Sequence, residues 1–175
     1  MDPVLEAFHK KYQAWVEDSL EEYKAHIMDR IVRTYPFVSY PDIPWTPFQG
    51  QAADHTFALV TSGGLYLKDS QPPFETESIH GDPGFRAIPK TVQQQDLGIA
   101  HAHYDHRLAE EDINTVFPIQ RLVELEQDGA IGGLAQTHYS FSYVNNVLPL
   151  VEESLPNLVD KLREQEVTAL LAVPV

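Results

Sequence analysis

The sequence predicts an α/β protein in which helices cover both faces of a parallel sheet, preceded by an N-terminal helical extension. From residue 55 onward, short apolar runs alternate with amphipathic helical patterns. Such alternation favours parallel strands joined by crossover helices. Before residue 33, apolar side chains recur every three or four positions between Val4 and Val32. That spacing is typical of an amphipathic helix.

The first 54 residues divide into a helical segment and an extended one. Residues 1–33 are predicted to form one long helix, or two helices broken near Asp18-Ser19. The apolar stripe of this segment could pack on the domain or on a second copy of the chain, and we expect a homo-oligomer. Residues 34–54 contain four prolines. Because proline disfavours helix, this segment is predicted to be an extended arm.

The α/β domain is predicted to span residues 55–175. Its predicted strands are Phe57–Thr61, Leu97–Ala100, Leu134–Phe141 and Val167–Val175, and its predicted helices are Glu110–Gln127 and Pro149–Glu164. Right-handed crossovers then give a three-layer, flavodoxin-like arrangement. Ligands of such sheets bind beyond the carboxyl ends of the strands. The loops 62–69, 101–107 and 138–146 are therefore predicted to form one ligand-binding rim.

The composition argues against several classes of function. The chain has 175 residues and a formal net charge of −14, which repels phosphate backbones, so no nucleic-acid partner is expected. No apolar run approaches the roughly 20 residues that cross a bilayer, and no secretory signal is recognisable, so we expect no membrane partner and a cytoplasmic location. Because the sequence contains no cysteine, disulfides, thiolate nucleophiles and cysteine-bound zinc are excluded.

The densest group of reactive side chains follows the predicted strand Leu97–Ala100. It consists of His101, His103, Asp105 and His106. His101 and His103 would point the same way from a strand, about 6–7 Å apart. Together with His106 they could bind a divalent metal such as zinc, iron or nickel. Alternatively, His101 and His103 act on substrate without a metal, and Asp105 orients one of them as a third catalytic group.

Other candidate substrate-binding residues lie elsewhere on the predicted rim or near it. They are Ser62, Gly63, Gly64, Arg86, His138 and Tyr139. The Ser-Gly-Gly segment could offer backbone N–H groups to an anion, or could simply form a tight turn. The arginine, one of 12 basic residues in an acidic chain, could bind a substrate carboxylate or form a surface salt bridge. The histidine and tyrosine offer an imidazole and a hydroxyl group. No nucleophile-elbow sequence is present, so a serine hydrolase is not expected.

Five collinear segments form a pattern that extends over most of the chain. They are IPWTPF (43–48), ALVTSGGLYLKD (58–69), GDPGFRAIP (81–89), HAHYDHRLAEEDINTVFPIQRL (101–122) and GAIGGLAQTHYSFSY (129–143). Taken together they resemble the selenoprotein B family of the glycine, sarcosine, betaine and D-proline reductases. The resemblance implies an oxidoreductase-related protein that binds a small amine- or carboxylate-bearing substrate at the rim.

The resemblance also implies a difference in chemistry. Reductases of this family carry selenocysteine or cysteine in a short motif after a strand similar to Leu170–Val175, and this sequence has no cysteine. We therefore expect a relative with different chemistry, or a component whose protein partner supplies the thiol or selenol. Two other hypotheses stay open: a self-sufficient metal-dependent enzyme that uses the three histidines, and a non-catalytic binding or assembly subunit. The string HAHYDH also fits the HxHxDH pattern of the metallo-β-lactamase superfamily, but the flanking residues follow the reductase pattern.

Overall fold

The computed structural model describes residues 2–42 and 45–175, and the chain separates into two units, Met1–Phe48 and Gln49–Val175. The division falls inside the predicted arm, so its residues 34–48 belong with the helical extension. Residues 43 and 44, which begin the IPWTPF segment, lie outside the described residues. None of the described helices is both long enough and apolar enough to span a membrane.

The first unit contains two helices, α1 (Pro3–Lys24) and α2 (Met28–Thr34). The Asp2 carboxylate accepts a hydrogen bond from the Val4 N–H at 2.7 Å and caps α1. The helices separate at residues 25–27, where His26 adopts a φ of 56°, and not near Asp18-Ser19 as predicted. A left-handed residue of this kind is a common way for a helix to end.

The strands of the second unit are β1 (Thr56–Thr61), β2 (Leu65–Leu67), β3 (Arg86–Pro89), β4 (Leu97–Ile99), β5 (Gly133–Leu134), β6 (Thr137–Ser140) and β7 (Ala169–Val173). Strand β1 is central and pairs in parallel with β5 and β6, with Val60 opposite Tyr139 in β6. Strand β7 pairs in parallel with β1 along its length, with Phe57 opposite Ala169. Because β7 occupies one edge of β1, β5 and β6 lie along the other. Strand β3 continues the sheet beyond β6 in antiparallel orientation.

Helical segments cover both faces of this sheet. They are α3 (Arg107–Glu111), a 3₁₀ turn (Ile113–Thr115), α4 (Ile119–Gln127), and a continuous stretch of α5 (Val147–Pro149), a π-helical turn (Leu150–Ser154) and α6 (Leu155–Glu164). Successive residues of a strand point to opposite faces. Accordingly, Leu59 packs in a cluster with Phe117 and Leu122, whereas Val60 packs with Phe141 and Leu158. The predicted three-layer α/β architecture is therefore confirmed.

Three predicted elements differ in detail. The run Leu97–Ala100 forms β4, which pairs antiparallel with β2 in a separate two-stranded sheet, so it is not a strand of the parallel sheet. The predicted helix Glu110–Gln127 is split into α3, a 3₁₀ turn and α4. Asp112 adopts an extended conformation that ends α3, and Pro118, which has no N–H group, precedes α4. The predicted strand Leu134–Phe141 is interrupted between β5 and β6.

Candidate functional site

A cleft of about 730 Å³ lies at the carboxyl ends of β1, β6 and β7. Small-molecule sites typically have volumes of roughly 300–1,000 Å³. The cleft is lined by Val60, Thr61, Ser62, His101, His103, Phe141, Ser142, Tyr143, Val144, Leu150, Leu155, Leu158, Leu170, Ala172, Val173, Pro174 and Val175. No Asp, Glu, Lys or Arg is among these lining residues in the described part of the chain. The cleft is thus an apolar groove whose polar groups include two histidines.

His101 and His103 present neutral imidazoles to the cleft. Burial lowers the pKa of His101 to about 4, with smaller contributions from the neighbouring histidines, and burial also lowers the pKa of His103. The His101 Nδ1 accepts a hydrogen bond from the His103 backbone N–H at 3.1 Å, so the proton of its neutral ring lies on Nε2. Neither that Nε2 nor the ring nitrogens of His103 have a hydrogen-bond partner among the described residues. These nitrogens are therefore available to a ligand.

The loop that carries the histidines is held against the turn that follows β1. The Tyr104 hydroxyl donates to the Gly63 carbonyl at 2.9 Å, and the Ala100 N–H donates to the Gly64 carbonyl at 2.8 Å. His106 Nε2 donates to the His101 carbonyl at 2.7 Å. Gly64 has a φ of 70°, and a Cβ there would lie 2.5 Å from the Ala100 oxygen. Glycine is required at this position so that the loop can approach the turn.

The Ser-Gly-Gly turn does not present a free set of backbone donors. The Ser62 N–H donates to the Val173 carbonyl at 3.2 Å, and the Gly64 N–H donates to the Phe141 carbonyl at 2.7 Å. The Gly63 N–H donates to the Thr61 hydroxyl at 3.1 Å. All three groups have acceptors within the chain, so the tight-turn alternative describes this segment. Ser62 still lines the cleft, and its Oγ accepts from the Val175 N–H at 2.9 Å.

Asp105 does not interact with the histidine rings through a hydrogen bond. Its carboxylate is exposed and accepts a hydrogen bond from the Arg107 Nε at 2.8 Å. Hydrogen bonds from Arg107 lower the pKa of this carboxyl. The predicted role of Asp105 in orienting a histidine is therefore not reproduced by the geometry, and Asp105 is not among the residues that line the cleft.

Arg86 is engaged with groups of the chain itself. Its guanidinium forms a partly buried ion pair with Asp82 at 3.0 Å, and its Nε donates to the Pro72 carbonyl at 3.0 Å. The same group lies over the Phe74 ring, 4.1 Å from the ring centroid. These contacts fix the loop before β3, and they use donors that a substrate carboxylate would need.

His138 and Tyr139 lie within β6, and neither lines the cleft. His138 Nδ1 accepts a hydrogen bond from the Leu59 N–H at 3.0 Å. The imidazole thus takes the place of a backbone carbonyl opposite β1, next to the gap between β5 and β6. Burial lowers the pKa of His138 to about 4. The Tyr139 hydroxyl accepts from the Gln165 side chain at 3.0 Å. Both side chains therefore stabilise the fold in this structure.

The structure does not support a metal site at the three histidines. Within the described ranges, no group of three or more His, Cys, Asp or Glu side chains is arranged to hold a metal ion. His106 directs Nε2 to a backbone carbonyl, and the Nδ1 of His101 already accepts a backbone N–H. The predicted convergence of His101, His103 and His106 on zinc, iron or nickel is thus not observed.

The candidate residues His138 and Tyr139 lie within β6, at the start of the predicted rim loop 138–146. Ser142 and Tyr143, rather than His138 and Tyr139, line the cleft. The Ser142 hydroxyl donates to the Ala100 carbonyl at 2.9 Å, and the ring centroids of Tyr143 and His103 are 4.3 Å apart. Strand β6 ends at Ser140, and the residues of this loop that line the cleft are those that follow the strand.

Comparisons with known proteins agree with the pattern of segments in the sequence. A family model for glycine/sarcosine/betaine reductase selenoprotein B matches residues 31–173. The chain is similar to D-proline reductase subunit gamma of Acetoanaerobium sticklandii, with 32% identity over 132 residues, 75% of this chain and 53% of that protein. It is also similar to glycine reductase complex component B subunit gamma of Carboxydothermus hydrogenoformans, with 30% identity over 107 residues, 60% of this chain and 24% of that protein.

A further similarity is to sarcosine reductase complex component B subunit beta of Peptoclostridium acidaminophilum, with 28% identity over 103 residues, 58% of this chain and 23% of that protein. The chain thus spans about half the length of the first of these relatives and about a quarter of the other two. No solved structure gives a significant match.

Proposed function

The chain belongs to the glycine/sarcosine/betaine reductase selenoprotein B family, and on this basis we propose that it is the ligand-binding component of a reductase complex. The ligand is a small amine- or carboxylate-bearing molecule held in the cleft. The names of the relatives support this class, because D-proline, glycine and sarcosine each carry an amine and a carboxylate. The observation that carries the proposal is a pair of neutral imidazoles at the carboxyl ends of three parallel strands, with the His101 Nε2 and both His103 ring nitrogens lacking a hydrogen-bond partner among the described residues.

The two histidines divide the recognition of such a ligand. The His101 Nε2–H is a donor, and it suits a carboxylate oxygen of the ligand. The neutral His103 ring has one donor and one acceptor, so it can accept a hydrogen bond from an amine. Because the cleft has no fixed charge among its lining residues, hydrogen bonds alone hold the charged groups. We expect millimolar affinity, about −4 kcal/mol of binding free energy.

The redox step requires a group that this sequence does not contain. The chain has no cysteine, and none of its other side chains is a thiol or selenol. We propose that a protein partner contributes that group to the cleft. His101 and His103 then bind and orient the ligand, and the thiol or selenol of the partner supplies the electrons for its reduction.

A titration monitored by NMR tests the ligand-binding proposal. The imidazole resonances of His101 and His103 are followed while D-proline, glycine or sarcosine is added in separate experiments. A carboxylate beside a histidine favours its charged form, so a bound ligand is expected to raise the pKa of His101 from about 4. His103→Gln is expected to weaken binding about tenfold, the loss of one hydrogen bond between the ligand and the imidazole.

The exposed His26, in the first unit, is the internal reference. Its resonances should not respond to the ligand, and His26→Gln should bind as the unaltered protein does. Resonance changes of equal size at His26 and His101, or none at any histidine with all three compounds at high millimolar concentration, would contradict the proposed class of ligand.

A further inference from the structure

Two aromatic rings lie beside the His103 imidazole, whose nitrogens have no hydrogen-bond partner among the described residues. The ring centroid of His101 is 5.9 Å away and that of Tyr143 is 4.3 Å away. His101 is buried, whereas His103 is exposed, so the His103 ring is not enclosed by close packing on all sides. Contacts with neighbouring rings must therefore set its orientation, and the Tyr143 ring is the nearer of the two.

The contact between Tyr143 and His103 has the geometry of an attractive aromatic pair. The planes of the two rings are inclined at 73°, so the edge of one ring meets the face of the other. Rings arranged in this way attract each other, because the edge of an aromatic ring is positive and its face is negative. This attraction favours one orientation of the His103 ring over the others that its χ angles allow.

Tyr143 can fix a neighbouring ring because it is itself fixed by the segment that precedes β3. Its hydroxyl donates between the carbonyl groups of Thr76 and Ser78, at 3.0 and 2.8 Å, and its carbonyl accepts from the Asp82 N–H at 3.2 Å. Gly81 has a φ of 71°, and a Cβ there would collide with the Tyr143 carbonyl oxygen. Glycine is thus needed for this close approach, and Tyr143 is held at both its side chain and its main chain.

We propose that Tyr143 is a positioning residue that orients the His103 ring towards the ligand in the cleft. The inference rests on the proposed function, in which His103 accepts a hydrogen bond from the ligand's amine. A hydrogen bond weakens steeply when its angle is poor, and a ring that is ordered before binding loses little further freedom when the ligand arrives. The Tyr143 hydroxyl proton is already donated within the chain, so the tyrosine raises the affinity through His103.

The order of the His103 ring in the ligand-free protein is the first test. NMR couplings about the χ1 angle of His103 should report one rotamer in the unaltered protein, and nuclear Overhauser effects should connect its ring to that of Tyr143. Tyr143→Leu removes the ring contact, so the couplings should become averaged over several rotamers. Tyr143→Phe keeps the ring and should keep most of the order. The couplings of His106, whose Nε2 donates to the His101 carbonyl, should be unchanged in both variants.

A double-mutant cycle then tests whether Tyr143 acts through His103. Binding of D-proline, glycine and sarcosine is measured by the same NMR titration for each single variant and for the double variant. Tyr143→Leu is expected to weaken binding about three- to tenfold, the range of one aromatic pair, whereas Tyr143→Phe should retain most of the affinity. Tyr143→Leu combined with His103→Gln should bind no more weakly than His103→Gln alone.

Tyr139→Phe is the matched control for Tyr143→Phe. It also removes a tyrosine hydroxyl, but one that accepts from the Gln165 side chain and does not line the cleft, so this variant should bind the three compounds as the unaltered protein does. Losses that add in the double variant, or a His103 ring that is mobile before any substitution, would overturn the inference. Restriction of the ring is measured without a ligand, so it supports the inference even where no compound binds and the proposed class of ligand is wrong.

Discussion

Replacement of His138 by asparagine should remove a large part of the acid sensitivity of the fold. His138 is fully buried, and its Nδ1 accepts a hydrogen bond from the Leu59 N–H at 3.0 Å. The asparagine Oδ1 can occupy nearly the same position and keep this hydrogen bond, but asparagine does not titrate. The variant therefore separates the acceptor function of His138 from its protonation.

The size of the effect follows from the pKa of His138, which burial lowers from 6.5 to about 4. The nearby Lys90 contributes in the same direction, and Glu126 opposes it. Because the folded pKa is depressed, the unfolded chain binds the proton first as the pH falls. The stability associated with neutral His138 is complete above about pH 6.5 and is lost as the pH falls towards 4. One pKa unit corresponds to about 1.4 kcal/mol, so about 2 kcal/mol is lost between about pH 7.5 and 5.

Urea denaturation of both proteins across this pH range gives the test. His138→Asn loses ring contacts near Phe117 and should be less stable at about pH 7.5, by about 1–3 kcal/mol. The difference should shrink by about 2 kcal/mol by pH 5, while the titration of His101 is common to both proteins and cancels. His138→Leu should be less stable than His138→Asn, because it leaves the Leu59 N–H buried without an acceptor. A difference that does not change with pH would refute the neutral state of His138.

Two further substitutions test the contacts around the site, each against a matched control. Gly64→Ala should lower the melting temperature much more than Gly129→Ala. Both glycines have a positive φ, but of the two only Gly64 lies where a Cβ would meet neighbouring atoms. The control Gly129→Ala should lower the free energy of unfolding by about 1 kcal/mol, from the φ penalty alone. Glu126→Gln weakens a partly buried ion pair with Lys90 and should cost about 1–2 kcal/mol in urea denaturation, whereas Glu124→Gln, in an exposed pair, should change stability by less than about 0.5 kcal/mol. Equal effects within either pair of variants would contradict these contacts.

The strands of the parallel sheet that could be predicted from sequence are those formed by one continuous apolar run. Strands β1 and β7 were predicted within a few residues, since a continuous apolar run indicates a strand of a parallel sheet. The run Leu97–Ala100 has the same character, but β4 pairs with β2 in a small antiparallel sheet. The sequence pattern shows which residues are apolar, but it does not show which strand pairs with a given strand. Pairing is decided by contacts that are distant in the sequence.

The same limit applies to the site. The spacing of His101 and His103 predicted that both rings would reach one place, and both line the cleft. The prediction for His138 failed to anticipate its bond to the Leu59 N–H, which lies 79 positions away in the sequence. Arg86 was likewise judged without its partner Asp82 and the carbonyl groups around it. A polar residue type indicates chemistry, but its partners decide whether that chemistry is free for a ligand.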